Sequence, residues 1–192
     1  MMIRRSLAFL ALLAFAAPAA AAPRVEVTSK IWSQTVSFTL PDGFVTKFEN
    51  TNGDEYIREA VLHGETVDQW TQMITVTGSR NLSEQDGVTP SKFAQTMANG
   101  FKRACPSTFS AQAIGKVKVS DYDAFEAIIS CGSDPMTNGA TSETAVVLVI
   151  EGEHDYYTLQ WAVRGKPSSS PLNLDPGPWK ARIARLQPIT IE

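Results

Sequence analysis

The chain carries two histidines, His63 and His154, and two cysteines, Cys105 and Cys131, so the chemistry open to it is narrow. A zinc centre needs three or four ligands held in a fixed geometry. Neither histidine belongs to an H-x-x-x-H or H-E-x-x-H pattern. His154 stands in the acidic stretch Glu151, Glu153, Asp155, which could hold a cation loosely. A solvated turn is the plainer reading, and no metal site is assigned. Serine nucleophiles often sit in a G-x-S-x-G elbow, and none occurs. Scattered Ser, His and Asp residues could still converge, so a hydrolase-type enzyme with a dispersed site remains the alternative reading. Cys–His chemistry needs a free thiol. Phosphate-cradling motifs, G-x-x-x-x-G-K-[ST] and G-x-G-x-x-G, are both absent, so no cofactor is expected.

The cysteines point to structure. There is no C-x-x-C, and an even pair in an oxidising compartment is most simply a disulfide, Cys105–Cys131. The N-terminus argues for such a compartment. Arg4 and Arg5 precede the apolar run Leu7–Ala17, and Ala19-Ala20-Ala21 forms a small-residue cleavage site. The run is shorter than the roughly 20 residues that span a bilayer, and Pro18 ends it. A Sec-type signal peptide over residues 1–21 is therefore expected. A periplasmic or secreted chain, Ala22–Glu192, follows as one domain. The formal charge of −3 becomes more negative once Arg4 and Arg5 are removed, and no Lys/Arg cluster suits nucleic acid. No stable membrane insertion of the mature chain is expected, because no second apolar run approaches spanning length.

One polar face could bind a ligand. In Tyr156–Arg164, Tyr157, Leu159, Trp161 and Val163 alternate with Tyr156, Thr158, Gln160 and Arg164. If no helix covers the second set, Tyr156, Gln160 and Arg164 would line a groove for a peptide or small ligand. If a helix covers it, these residues only close the packing, which is the structural alternative. Trp32, Trp70, Trp161 and Trp179 read first as core anchors.

The elements that would position these residues follow from periodicity. Ala145–Ile150 is an unbroken apolar run, the pattern of a strand covered on both faces. With Tyr156–Arg164 it forms a hairpin at the middle of a sheet, turning at EGEHD. Upstream, Arg24–Ile31 alternates as a first strand, and Ile31–Phe48 reads as a meander of short antiparallel strands turning at Pro41-Asp42-Gly43. Tyr56–Leu62 and Thr71–Thr77 are strands, joined by a connector in which Thr66 could cap one helical turn. Thr89 caps a helix that begins at Pro90, and Phe93, Met97 and Phe101 give it one apolar face. Ala111–Val119 and Tyr122–Cys131 form a second hairpin. Asp175 caps a last helix, with Trp179, Ile183 and Leu186 at helical spacing. The expectation is an α+β fold, a mostly antiparallel β-sheet with helices packed on its faces as an α/β/α sandwich.

This order, with the stretch Phe38-Thr39-Leu40-Pro41-Asp42-Gly43-Phe44, the helix Pro90–Ala104 and a C-terminal helix after Tyr156–Arg164, resembles the PsbP/DcrB-like (Mog-type) fold. The segment Thr66–Val76 is also similar to an uncharacterised proteobacterial periplasmic family. The resemblance implies an exported binding or accessory protein without catalytic activity, recognising an envelope protein or a small ligand. A structural subunit of an envelope assembly is the other non-enzymatic reading. The motifs are turn and packing residues, so no functional residue is carried over.

Overall fold

The computed structural model describes residues 25–192, and the expected signal peptide over residues 1–21 lies outside them. Ten strands and two helices follow in the order β1 (Val25–Ile31), β2 (Gln34–Leu40), β3 (Phe44–Asn52), β4 (Glu55–Leu62), β5 (Gln72–Ser79), α1 (Pro90–Ala104), β6 (Phe109–Val119), β7 (Tyr122–Cys131), β8 (Ser142–Glu151), β9 (Tyr156–Gly165), α2 (Pro176–Arg185) and β10 (Thr190–Ile191). Seven of the strands form an antiparallel sheet in the order β3-β4-β5-β9-β8-β7-β6, with β9 at its centre. The fold class is α+β, with helices on both faces of a mostly antiparallel sheet.

The strand centre is dry on both sides. Val146, Val149, Ile150, Tyr157 and Leu159 are fully buried, and Trp161 is nearly so. Burial of one such side chain stabilises by about 2 kcal/mol relative to leaving it in water. Alternation sends Tyr157, Leu159 and Trp161 into one core and Tyr156 and Ala162 into the other.

α1 covers the second core. Thr89 caps it, its Oγ1 accepting from the Lys92 N–H at 3.3 Å, and Phe93, Met97 and Phe101 pack on Ala127, Ile129 and Val147. Its C-terminus is tied to β7 by the Cys105–Cys131 disulfide, whose Cα atoms lie 5.8 Å apart. A loop of this length gives about 3.5 kcal/mol in the chain-entropy account. α2 lies against the first core through Ile183 and Leu186, with Asp175 capping the Gly177 N–H.

The expectation of one sheet is corrected. β1, β2 and β10 form a separate three-stranded sheet that shares the first core with α2. The meander expected over Ile31–Phe48 is split at Pro41–Gly43. Gly43, at φ +89, sends the chain from β2 into β3 of the large sheet instead of returning it along β2. Thr66 accepts the Gln69 N–H at 3.1 Å, but the connector forms turns with no helix.

Both sheet edges are irregular. β3 bulges between Thr46 and Phe48, and β6 bulges between Ala113 and Gly115, where Gly115 takes φ +142. Lysines 47, 116 and 118 sit beside these bulges. Bulges and lysines on edge strands disfavour pairing with another chain.

Candidate functional site

A recess lies where the small sheet meets one end of the large one. Three connections form its walls: the β1–β2 turn, the start of the β5–α1 loop and the β8–β9 turn. Trp32, Ser33, Arg80, Asn81, Glu84, His154 and Asp155 line about 530 Å³ of space.

Asp155 holds the walls together. It is 2% exposed. Its Oδ1 accepts the Asn81 N–H at 2.8 Å, and its Oδ2 accepts the Ser33 hydroxyl at 3.3 Å and the Tyr157 hydroxyl at 3.2 Å. One buried carboxylate thus joins all three connections, and hydrogen bonds to a charged acceptor are the stronger kind. Burial, and next the charge of Asp155, hold the Tyr157 hydroxyl well above its ordinary pKa, so it stays a donor. Gln34 adds a second buried tie. Its Oε1 accepts the Glu153 N–H at 2.8 Å, and its Nε2 donates to the Tyr122 hydroxyl at 2.9 Å. A Cβ on Gly152 would collide with that Oε1 and stand 2.9 Å from the Asp155 carbonyl oxygen, so the turn needs glycine there.

Two rim residues adopt left-handed backbone. Asn81, at φ 54, does so readily because its short amide tolerates that region. Trp32, at φ 50, is unusual. It holds the first central position of a two-residue hairpin turn, where glycine is favoured. A bulky residue there costs on the order of 1–3 kcal/mol and persists only where its surroundings demand it. The demand comes from below, where the indole lies on the bare backbone of Gly78 in β5.

The outer rim is charged. The Nδ1 of His154 lies 3.1 Å from a Glu84 carboxylate oxygen, both side chains about half exposed. Arg80 is exposed and has no carboxylate partner among the described residues. An indole edge, a free guanidinium and an imidazole can receive a planar or apolar group that carries an anion. Among the described residues no hydroxyl is hydrogen-bonded to either histidine ring, and both cysteines are in the disulfide, so neither a Ser–His nor a Cys–His pair is formed. Nor do the described residues contain a cluster of His, Cys, Asp and Glu able to hold a metal ion.

The sequence-derived residues fall elsewhere. Tyr156 is 1% exposed and stacks on Phe93 of α1, ring centroids 5.5 Å apart. Gln160 turns its amide to the Thr158 hydroxyl at 3.2 Å. Arg164 lies at the far end of β9, about 26 Å from Tyr156 at ordinary strand rise. There it stacks on Trp70 at 3.8 Å and faces Glu143 and Asp134 at 3.4 and 3.5 Å. The three share one face of β9 but do not converge on one groove. Burial, and next the neighbouring Asp134, raise the Glu143 carboxyl above the usual carboxylate range, with Arg164 opposing. His63 follows β4 at the opposite end of the sheet from His154. Sequence reasoning read Trp32 as a core anchor, and it does pack partly against the first core; Arg80 and the buried role of Asp155 were missed. The only local signal was Asp155 itself, at the foot of a turn read as solvated.

No protein-family model matches the chain, and no curated protein matches it either. Among solved structures, the chain is similar to the Saccharomyces cerevisiae Ran-binding protein Mog1p, at 13% identity and a TM-score of 0.47, over 73% of this chain and 77% of that one. It is also similar to cyanobacterial PsbP (CyanoP) from Synechocystis sp. PCC 6803, at 12% identity and a TM-score of 0.46, over 79% of this chain and 86% of that one.

Proposed function

We propose that this is an exported, non-catalytic binding or accessory protein of the cell envelope, and that it recognises its partner at the Trp32–Arg80–His154 recess. The partner presents a carboxylate or phosphate to Arg80 beside a planar or apolar group that rests on Trp32. One observation carries the reading: a buried carboxylate, Asp155, and a left-handed tryptophan, Trp32, shape a rim on which Arg80 is in no ion pair with another of the described residues. Backbone strain persists at recognition sites, and among the described residues of this recess no hydroxyl or thiol is paired with a histidine. Its shallow, exposed walls suit a protein segment better than an enclosed metabolite. Export is supported by Arg4, Arg5, the apolar run Leu7–Ala17 and Ala19–Ala21, together with a disulfide that an oxidising compartment preserves. Among the described residues no helix is long and apolar enough to cross a membrane.

Two experiments test this. N-terminal sequencing of the protein recovered from its host's envelope fraction should begin at Ala22; a chain that keeps Met1 contradicts export. Photo-cross-linking in the cell, with benzoylphenylalanine in place of Glu84, should give a discrete adduct that Arg80→Glu abolishes. An adduct pattern equal to that from Lys47, on the far edge strand, would contradict the recess as the recognition site.

A further inference from the structure

Helix α2 concentrates positive charge. Its sequence, PGPWKARIAR, includes Lys180, Arg182 and Arg185 and no acidic residue, in a chain whose formal charge is −3. Arg182 and Arg185 stand three apart, so they share one side of the helix. Both lie against the same indole. The guanidinium carbon of Arg185 is 4.9 Å from the centre of the Trp161 ring, and that of Arg182 is 5.8 Å from it. Arg182 also covers Trp179, at 4.5 Å. Trp161 is itself fixed: Phe44 meets its ring edge-on at 5.2 Å, and its Nε1 donates to the Gln72 Oε1 at 3.0 Å. Two guanidinium forks thus rest on one held platform.

Among the described residues neither arginine has a carboxylate partner. The Arg182 guanidinium donates to the Pro178 carbonyl from Nη1 at 3.2 Å, while its buried Nε has no partner. Burial, and next the charge of Arg185, weaken its hold on its proton, and no carboxylate opposes them. Basic side chains in a last turn offset the helix dipole, and an arginine stem can roof an aromatic ring. One arginine would serve either purpose. Two on one ring repel each other, and an anion between them removes that repulsion. A carboxylate balances one guanidinium. A phosphate monoester, close to a dianion at neutral pH and rich in acceptor oxygens, balances both and suits their forks. A membrane surface is the poorer match, because the apolar side of α2, Ile183 and Leu186, is spent on the first core.

We propose that Arg182 and Arg185 bind the phosphate group of a soluble phosphate monoester. Arg182, held against Trp161 and Trp179, supplies a preset fork, and the exposed Arg185 closes on the same phosphate. The site stands toward the Gln72–Val163 end of β5 and β9, away from the Ser79–Tyr156 end beside the Trp32 recess. Neither site depends on the other.

A chemical-shift titration of the ¹⁵N-labelled mature chain with glycerol 3-phosphate tests it, at about pH 7.5 where the monoester is a dianion. The reporters are the Trp179 indole N–H and the Arg182 Nε–H, which burial keeps from solvent. Saturable shifts of both are expected. The Kd read from Trp179 should rise at least tenfold in Arg185→Gln, an exposed position where folding is not at stake. It should rise as much in Arg182→Lys, which keeps the charge and loses the fork. Lys180→Gln removes the same charge from the same helix, but beside Glu126, and should stay within twofold of wild type. Glycerate, a monoanion of similar size, should bind at least tenfold more weakly, and vesicles containing phosphatidic acid should not sediment the chain. Absence of saturable shifts, equal losses in Lys180→Gln and Arg185→Gln, glycerate binding as tight as glycerol 3-phosphate, or sedimentation with the vesicles that Arg185→Gln abolishes would each overturn the proposal.

Discussion

The indole of Trp32 rests on Gly78 so closely that a Cβ at Gly78 would lie 2.9 Å from the ring and 2.8 Å from Ile31. The contact joins the small sheet to the large one, because Trp32 turns β1 into β2 and Gly78 lies in β5. It also explains how a bulky residue can hold left-handed backbone at the rim of the recess.

Gly78→Ala should therefore act as an overpacking substitution. Backbone strain plays no part, since Gly78 does not adopt positive φ. The expected loss is about 1–3 kcal/mol, measured by urea unfolding, with a change in tryptophan emission as the indole is displaced. A variant with wild-type stability and emission would show that the two sheets do not meet as described.

Asp155→Ala removes the acceptor for the Asn81 N–H and for the Ser33 and Tyr157 hydroxyls. A loss of about 2–4 kcal/mol is expected, with Asp155→Asn losing about half as much because one carbonyl oxygen remains. Amide hydrogen exchange at Asn81 should speed up in both variants. Unchanged exchange there would contradict the role given to Asp155.

Much of this architecture was readable in advance, and the exceptions have physical causes. Thr89-Pro90 and Asp175-Pro176 announce both helices because capping and φ preference are local. β8 is legible as an unbroken apolar run and β9 from the alternation of Tyr157, Leu159 and Trp161 with more polar residues, although β9 too is buried on both faces. β10 is not legible: Thr190 and Ile191 become a strand only by pairing with Ser37 and Val36. Nor is the second sheet, since Pro41-Asp42-Gly43 carries the same turn chemistry whether β3 returns beside β2 or departs. The recess brings together residues 32, 80 and 155, and only tertiary contact joins them. Of the face read as a groove, Tyr156 is buried beneath α1 and Arg164 is held by two carboxylates.

The Glu143 carboxyl gives stability a pH dependence. It holds its proton more tightly in the folded chain than in the unfolded one. The folded state then binds more protons between the usual glutamate value and the raised one. Its contribution is fully present below that window and declines as pH rises through it. Glu143→Gln should remove this part of the slope, seen as an unfolding free energy that changes less with pH just above the ordinary glutamate value. A slope as steep as wild type would show that Glu143 does not titrate there.

The most direct test of recognition at the Trp32 recess is a chemical-shift titration. The ¹⁵N-labelled chain would be titrated with a short acidic peptide containing one aromatic residue beside a glutamate. Shifts should concentrate on the amides of Ser33, Arg80, Asn81 and His154, and they should vanish in Arg80→Glu. Shifts spread over the sheet edges, or unchanged in Arg80→Glu, would contradict it.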